Sequence, residues 1–210
     1  MDTGHLQEKR VDAGAAVSVS AKAAGGLAGY DPNPILLSRA SGSVVGTSIA
    51  GGLVGEGGVI EQSFSTATVA GGGDRIGGVI GGLNERGKIV DSYATGLVHG
   101  GGAAGGVVGH LYTDTQIAST YSTGEIVSSG VAGGFGGAAN KDASLTADYW
   151  DVDTSGEARA CGSRRKCQSV TGLSDAQLKS GLPDGFDPKI GGQSPNINNG
   201  YPYLLANPPQ

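Results

Sequence analysis

Aromatic side chains recur at one position of a repeated pattern, and their chemistry suits them to binding a ligand. Phe64, Tyr93, Tyr121 and Tyr149, the aromatic column, are separated by 29, 28 and 28 residues. Flat rings arranged in a row can stack on sugar rings, and Tyr adds a polar hydroxyl. The same row can also be a packing ladder that stabilises neighbouring strands through cross-strand contacts. The column therefore predicts either a glycan-binding face or a structural ladder, and the structural interpretation is preferred.

The segment 151–156 resembles the first half of a calcium loop. Asp151, Asp153 and Ser155 place oxygen atoms at alternate positions, and Gly156 suits the turn. Such a loop ends on a bidentate acid at its twelfth position, where this chain has Gly162. A turn with solvated Asp side chains is therefore expected. Calcium stays a weak candidate, and no other cofactor is indicated.

Two cysteines bracket a short basic segment. Cys161 and Cys167 are the only cysteines of the chain. A disulfide that closes this loop is the main interpretation, and it would suit an oxidising, extracytoplasmic environment. Two unpaired thiols are the alternative. A zinc site is disfavoured because no second Cys or His pair completes four ligands.

Catalytic groups do not form a recognisable motif in the sequence. His5, His99 and His110 occupy non-equivalent positions and lack the spacing of a zinc-protease helix. The acidic residues are scattered over different positions of the repeat, so no acid–base pair can be assigned. The chain is expected to be non-catalytic. A polysaccharide-active β-helix remains an alternative, because acids of neighbouring coils can meet in space.

A repeated glycine phrase must position all of these residues. Gly-Gly-hydrophobic-x-Gly begins at Gly25, Gly51, Gly77, Gly105 and Gly133, at intervals of 26, 26, 28 and 28 residues. A fixed period of this length indicates a solenoid. Three apolar positions accompany each repeat and predict three short strands per coil. They are Ile35, Ile60, Ile89, Ile117 and Leu145; Val44, Val69, Val98 and Ile126; and Leu27, Leu53, Val79, Val107 and Phe135.

The residue types favour strands over helices. Val, Ile, Thr and Tyr suit a pleated surface, whereas a helix through these windows would contain several glycines that each cost about 0.8–1 kcal/mol relative to Ala. The glycines are expected to supply positive-φ corners and close backbone approach. The sequence therefore predicts an all-β fold, a β-solenoid of about five coils of 26–28 residues with an irregular C-terminal cap that contains one short helix.

Changes in composition divide the chain into three parts. Residues 1–22 are expected to form an N-terminal cap or partial coil, 23–147 the solenoid, and 148–210 a capping segment that ends in a strap packed against the rod. Trp150 is expected to cover the last coil, because solenoid ends need covers. A short helix is predicted near 175–180, since Ser174 and Gln177 form a capping box at its start.

Composition also excludes several classes of protein. The net charge is −5 with only 14 Lys and Arg, which argues against binding nucleic acid. No apolar run approaches the roughly 18 residues that a membrane span requires. The first residues lack the apolar core of a signal peptide, and Met1 fits a start on a fragment of a longer chain. There are 41 glycines in 210 residues but no Gly-X-Y period, so collagen is excluded.

The repeats resemble the GLUG motif of large bacterial surface and secreted proteins, such as filamentous haemagglutinin-like adhesins. The resemblance rests on phrases such as Gly51-Gly52-Leu53-Val54-Gly55 and Ser92-Tyr93-Ala94-Thr95-Gly96, and on the closing Asn199-Gly200-Tyr201-Pro202-Tyr203-Leu204. It covers residues 23–207 and extends to non-catalytic regions of some IgA-specific metallopeptidases. In the family a Trp often precedes that closing segment, whereas this chain has Ile190-Gly191-Gly192-Gln193.

The resemblance implies an exported, extracellular or cell-surface rod that is structural or adhesive. Its implied partner is a glycan or a host or extracellular protein, bound through many weak contacts. A spacer or substrate-recognition module of a larger secreted enzyme is one alternative. An ice-binding β-helix is another, although only Thr66, Thr95 and Thr123 align in a threonine row. The edge of the first coil is a further candidate for pairing with a second copy.

Overall fold

Short parallel strands stack into a β-solenoid in this computed structural model, which describes residues 12–14, 17–18, 22–140, 143–163 and 167–209. Four sheets run along the stack. Sheet A contains Asp12–Gly14, Arg39–Ser41, Phe64–Ser65, Tyr93–Ala94, Tyr121–Ser122, Tyr149–Asp151 and Thr171–Leu173. Sheet B contains Val17–Ser18, Ser43–Gly46, Thr68–Gly71, Val98–Gly100 and Ile126–Ser128.

The other two sheets complete each coil. Sheet C contains Ala23–Gly25, Ile49–Gly51, Arg75–Gly77, Ala103–Gly105 and Ala132–Gly133. Sheet D contains Ala28–Asp31, Ile35–Leu36, Val54–Glu61, Ile80–Val90, Val108–Leu111, Gln116–Ala118, Gly136–Ala139 and Ser144–Thr146. Strand pairing places equivalent residues of successive coils side by side, as for Ile35, Ile60 and Ile89.

The predicted fold class is confirmed, with about five stacked coils, but the expected number of strands per coil is wrong. Each coil contributes to four sheets instead of three. The overlooked sheet C has small inward side chains, because Ala24, Ala50 and Ala104 occupy one inward row with Ile76. Such residues leave a weaker hydrophobic signal than the Ile and Val rows.

The interior is divided into two apolar clusters. One cluster packs sheet D against the inward residues of sheet A, with Leu53, Ile80 and Leu111 fully buried. The other packs sheet B against sheet C, with Val69, Ile76 and Val98 fully buried. Between the clusters, sheets C and D approach each other through the glycines of the repeated phrase.

These glycines are required by close backbone approach. A Cβ atom on Gly77 would lie 2.0 Å from Ile80 O and 2.6 Å from Gly109 N. The first glycine of the phrase thus meets the glycine at the fifth position of the phrase in the next coil, and Gly51 and Gly81 repeat the relationship at 2.6 Å. The expected close approach is therefore present. None of these glycines has a positive φ, so the expected role at positive-φ corners is wrong.

The left-handed corners are formed by other residues. Each coil turns from sheet D into sheet A at one residue with positive φ that is not glycine. These residues are Leu37 (φ 48°), Gln62 (φ 45°), Asp91 (φ 47°), Ser119 (φ 52°) and Ala147 (φ 54°). The N–H groups of the first four continue the ladder between coils, as Gln62 N–H does by donating to Val90 O at 3.1 Å. Hydrogen bonding between coils thereby helps to hold a backbone conformation that L-residues adopt rarely.

A buried row of hydroxyl groups follows these corners. Ser38 N–H donates to Ser63 Oγ at 3.0 Å, and Ser63 N–H donates to Ser92 Oγ at 3.2 Å. The Ser63 hydroxyl in turn donates to Glu61 O at 2.8 Å. Thr120 and Asp148 occupy the same position in the following coils and are also buried. Each hydrogen-bonded member of this row satisfies buried polar groups of two coils. This explains why a polar residue recurs at the same position of each repeat.

The C-terminal end of the stack is covered by Trp150 and a disulfide loop. Trp150 is 8% exposed, and its indole N–H donates to Glu157 O at 3.2 Å. Cys161 and Cys167 form a disulfide, and both pack in the same cluster as Phe135 and Trp150. Cys161 also pairs with Gly136 in a parallel bridge. The end of the apolar core is thus closed by side chains that do not belong to the repeats.

The rest of the C-terminal part lies on the outer face of sheet A. The predicted helix is Asp175–Leu178, and the capping box of Ser174 and Gln177 is present. We call residues 183–209 the strap. It contains the antiparallel pair Gly191–Gly192 and Tyr203–Leu204 and the 3-10 turn Asn198–Gly200. Gln193 joins the helix to the strap, because its Nε2 donates to Leu178 O and to Gly200 O.

Strand pairing extends beyond the predicted limits of the solenoid. Tyr149–Asp151 and Thr171–Leu173 continue sheet A within the predicted capping segment. Asp12–Gly14 and Val17–Ser18 pair with the next coil, while the remainder of the predicted N-terminal part, except Lys22, lies outside the described residues. Within the described ranges no helix has the length and apolar character required to cross a membrane.

Candidate functional site

The aromatic column lies on the outer face of sheet A, and the rings of its first three residues are stacked. Phe64 pairs with Tyr93, Tyr93 with Tyr121, and Tyr121 with Tyr149 in the parallel register of the sheet. The Phe64 and Tyr93 rings are 4.8 Å apart and nearly parallel, at 5°. The Tyr93 and Tyr121 rings are 5.1 Å apart at 12°. The ladder interpretation describes the geometry of Phe64, Tyr93 and Tyr121, whereas the Tyr149 ring packs against Phe186 of the strap.

The column points outward from the solenoid, but it is not an exposed face. Tyr93 and Tyr121 are 2% and 1% exposed, and Phe64 and Tyr149 are also buried. The helix and the strap cover the rings with Leu178, Tyr201 and Leu204. A sugar ring therefore has no access to the column. The alternative of a glycan-binding face formed by these four residues is wrong, because the chain covers them with its own C-terminal segment.

Hydrogen bonds attach the strap to the column. The Tyr121 hydroxyl donates to Pro202 O at 2.5 Å and accepts from Asn198 Nδ2 at 2.9 Å. The Tyr149 hydroxyl donates to Asp184 O at 2.7 Å. Burial raises the pKa of the Tyr121 hydroxyl well above its usual value. It therefore stays protonated at neutral pH and remains a donor.

The end of the strap reaches the first coils. Asn207 is fully buried, and its Nδ2 donates to Ser38 O at 3.1 Å and to Gln62 O at 3.4 Å. Arg39 donates to Pro208 O at 2.9 Å and forms an ion pair with Asp12 at 3.0 Å. The strap thus runs from the C-terminal end of the stack back to its first coils. It contacts the coil of Tyr149 at one end and the coil of Arg39 at the other.

The calcium candidates serve as internal hydrogen-bond acceptors. Asp151 is fully buried, and its Oδ1 accepts from the N–H groups of Asp153 and Thr154 at 2.9 and 3.2 Å. Asp153 Oδ2 accepts from Asp175 N–H at 3.0 Å, and Ser155 is buried. The expected turn is present, but Asp151 is not solvated. No three Asp, Glu, His or Cys side chains of the described part of the chain are grouped so that they could hold a metal ion.

A polar cluster joins this turn to the strap. The Tyr201 hydroxyl lies 3.1 Å from Asp151 Oδ2 and also contacts Asp175 Oδ1. Lys179 pairs with Asp175 at 2.7 Å and lies over the Tyr201 ring, 4.4 Å from its centroid. Burial and the two carboxylates raise the pKa of Tyr201, so that its hydroxyl stays protonated. Sequence reasoning missed this cluster, because its members are separated by up to 50 residues in the chain.

Asp148 is a buried acid at the end of the hydroxyl row. Its Oδ1 accepts from Thr120 N–H at 3.1 Å and its Oδ2 from Thr146 N–H at 3.0 Å. Burial raises the pKa of Asp148 to about 8, although the two backbone hydrogen bonds act in the opposite direction. A buried acid with a raised pKa is a common feature of catalytic sites. Here its two backbone partners give it a structural role.

A second group of polar side chains brings Arg75 of sheet C together with Glu56 and His110 of sheet D. Arg75 lies 3.5 Å from Glu56 and 5.5 Å from the centroid of the Tyr112 ring. His110 packs against the same ring, and its Nε2 lies 3.3 Å from Asn140 Oδ1. Burial lowers the pKa of His110, which favours the neutral imidazole at pH 7.

The outer face of sheet B carries several exposed side chains. Val45, His99 and Val127 are exposed in one row of sheet B, in which the half-buried Ala70 lies between Val45 and His99. These three residues line a surface groove together with Gly71 and Gly100. The threonine row lies elsewhere and does not form a regular exposed array, because Thr66 is exposed while Thr123 is buried.

Comparison with known proteins supports the fold. No protein-family model matches the chain, and no curated protein is significantly similar to it. A crystal structure of a candidate immunoglobulin A1 protease from Bacteroides ovatus is similar, with a TM-score of 0.70 and 21% sequence identity. The alignment covers 93% of this chain and 67% of that protein. The shared fold therefore extends over nearly the whole chain.

Proposed function

We propose that this chain is a non-catalytic β-solenoid module of an exported bacterial protein, built on repeats of the GLUG type. The observation that carries the proposal is the way the C-terminal segment secures the stack. Asn207 bonds to the coils of Ser38 and Gln62, whereas Tyr149 and Trp150 lie at the opposite end. A rod fixed over its whole length suits a spacer or a presenting scaffold, since solenoids act through lateral surfaces.

The disulfide supports an extracellular or cell-surface location for this module. Cys161 and Cys167 are both buried at the covered end of the stack. Disulfides persist in oxidising compartments and are rare in the cytosol. A module that depends on this bridge for the closure of its core is therefore best suited to function after export.

The surface that we assign to adhesion is the outer face of sheet B, with a glycan as its partner. The groove is lined by Val45, His99 and Val127 together with several glycines. A protein partner of ordinary affinity needs about 800 Å² on each side, which exceeds the area of a few short strands. An extended sugar chain needs only a narrow strip, and repeated weak contacts along the rod would add up.

A glycan array with matched variants tests the adhesive role. Val45→Glu and Val127→Glu change exposed side chains of this face, while Tyr30→Glu changes an exposed side chain on sheet D. Saturable binding that is lost in the first two variants and kept in the third supports the assignment. Binding that survives both sheet B variants assigns adhesion to another face. Absence of binding by the parent protein leaves the rod as a spacer.

A second candidate function is substrate recognition within a larger secreted enzyme. The similarity to a protein described as an immunoglobulin A1 protease favours it. In that case the rod would bind immunoglobulin A1 or hold it near a separate protease domain. Biolayer interferometry with immunoglobulin A1, with immunoglobulin G as the control, tests this function. Selective binding supports recognition, and equal or absent binding to both argues against it.

A further inference from the structure

The groove on the outer face of sheet B, which we call the sheet B groove, follows the axis of the rod. Val45, His99 and Val127 line it, and strand pairing places them in one row together with Ala70. The row crosses four neighbouring strands, so that three steps of about 4.8 Å give it a length of about 14 Å. The groove has a volume of about 560 Å³, which lies within the usual range for ligand sites. A ligand in this groove would therefore contact several coils at once.

The side chains that line the groove favour a neutral ligand. Among the described residues of its lining there is no Asp, Glu, Lys or Arg. Val45, Val127 and several glycines provide apolar surface, which suits the C–H faces of sugar rings. His99 is exposed, so its ring nitrogens are open to a hydroxyl group. The Ser129 hydroxyl donates to Gly101 O at 3.3 Å, and its oxygen can still accept. The lining therefore suits a neutral molecule that carries hydroxyl groups.

The backbone beside the groove is already paired between coils, which disfavours a peptide as the ligand. Gly101 N–H donates to Gly71 O at 3.0 Å, and Ser129 N–H donates to Gly100 O at 3.3 Å. An extended peptide binds by adding a strand to free backbone groups at a sheet edge. Its side chains on one face also repeat at about 6.7 Å, which is out of step with coils about 4.8 Å apart.

An extended sugar chain, in contrast, matches the spacing of the coils. In a β-1,4-linked chain of pyranose rings, each ring advances by nearly the same length as one coil step of about 4.8 Å. Successive rings would therefore meet equivalent positions of successive coils, and their weak contacts would add up. An α-1,4-linked chain curls and would leave the straight row of Val45, His99 and Val127.

We infer that the sheet B groove binds a neutral β-1,4-linked polysaccharide, with its chain parallel to the axis of the rod and about three rings in contact at once. The inference rests on the proposed adhesive function, and it adds the charge, the linkage and the direction of the glycan. His99 bonds to a hydroxyl group of the central ring, while Val45 and Val127 pack against the rings on either side.

Isothermal titration calorimetry of the full chain with short oligosaccharides tests this inference. The probes are the dimer and hexamer of β-1,4-linked glucose, the hexamer of α-1,4-linked glucose and the hexamer of β-1,4-linked mannuronate. The β-linked glucose hexamer should bind at least about tenfold more tightly than each of the other three. Equal affinity for the two glucose hexamers, or tighter binding of the mannuronate, overturns the inference. If such binding is still lost in Val127→Glu, the adhesive function of the face survives. Absence of binding by every oligosaccharide and on the whole glycan array contradicts both.

Two glycine variants link the binding to the groove. Gly72 lines the groove, and a Cβ atom there would have no heavy atom within 4 Å, so a Leu side chain enters the groove without a clash. Gly58 is equally open but lies in the strand Val54–Glu61 of sheet D, and neither glycine has a positive φ. Gly72→Leu should weaken binding of the β-linked hexamer by about tenfold or more at an unchanged melting temperature. Gly58→Leu is the matched control and should leave the affinity unchanged. Full affinity in Gly72→Leu, or an equal loss in both variants, overturns the assignment to this groove.

Discussion

Asp148 accepts a hydrogen bond from the Thr120 N–H, through Oδ1 at 3.1 Å, at the position where the earlier coils use a serine hydroxyl. Ser63 and Ser92 each accept from the N–H of the preceding coil and donate to a carbonyl of their own coil. Asp148 instead accepts twice, from Thr120 and Thr146. The row of buried polar groups therefore ends on a side chain that can titrate.

The stability of the protein should depend on pH through Asp148. Burial raises the pKa of Asp148 from 3.8 to about 8 in the folded state. Between these two values the folded protein keeps the proton while the unfolded chain releases it. The contribution of Asp148 to the free energy of unfolding therefore falls as pH rises from about 4 to about 8, with a slope of up to about 1.4 kcal/mol per pH unit.

Urea unfolding of the parent protein and of Asp148→Asn across this pH range isolates that contribution. The difference between the two unfolding free energies should decrease as pH rises, because Asn does not titrate. Asp74→Asn, which alters an exposed side chain, is the control. A difference that is independent of pH would show that Asp148 is ionised throughout the range.

Gly77→Ala should strongly destabilise the fold. Its Cβ would lie 2.0 Å from Ile80 O and 2.6 Å from Gly109 N, so both backbones must move apart. Overpacking of this kind costs about 3 kcal/mol or more. The measurement is the free energy of unfolding in urea.

Gly72→Ala is the matched substitution for this test. A Cβ at Gly72 would have no heavy atom within 4 Å, and Gly72 has no positive φ. The expected change is a gain of up to about 1 kcal/mol, because Ala restricts the unfolded chain. Equal effects at the two positions would contradict the close approach of sheets C and D.

Loss of the disulfide should loosen the covered end of the stack. Cys161 and Cys167 are separated by 6 residues and pack with Trp150. A loop of this size is worth about 2 kcal/mol of stability. The double variant Cys161→Ala, Cys167→Ala should melt at a lower temperature and should shift Trp150 fluorescence to longer wavelength. The parent protein in reductant should behave in the same way, and a melting temperature that reductant leaves unchanged would contradict the prediction.

Asn207→Ala should release the end of the strap. The substitution removes the hydrogen bonds to Ser38 O and Gln62 O, each worth about 0.5–1.5 kcal/mol. Hydrogen exchange measured by mass spectrometry should become faster in the peptide that spans 203–209, with little change in the middle coils. Asn196→Ala, which alters an exposed side chain, should leave the exchange unchanged. Uniformly faster exchange would mean that the whole stack depends on Asn207.

The repeat period and the apolar rows were sufficient to predict the stacked architecture. Ile35, Ile60 and Ile89 are in register because their spacing follows the coil length. The capping box of Ser174 and Gln177 also predicted the helix, since it depends on local hydrogen bonds. Sheet C was missed because its inward row is mostly Ala, and Ala occurs throughout this sequence.

The repeats contain no feature that predicts whether another segment of the chain covers the aromatic column. A row of Tyr residues has the same spacing whether the strap covers it or a ligand does. The decisive contacts join distant parts of the chain, such as Tyr121 and Pro202, which are 81 residues apart. The positive φ of Leu37 and Gln62 could not be predicted either, because neither residue type is typical of the left-handed region.

The strap crosses the stack from Tyr149 to Ser38, so its length has to match the number of coils. One additional coil would lengthen the rod by about 4.8 Å and would carry Asn207 away from its carbonyl acceptors. In an open solenoid, units can be duplicated or deleted with little effect on the others. Here a duplication would also require a longer C-terminal segment. Copy number and tail length must therefore change together, and this coupling restricts how the array can expand.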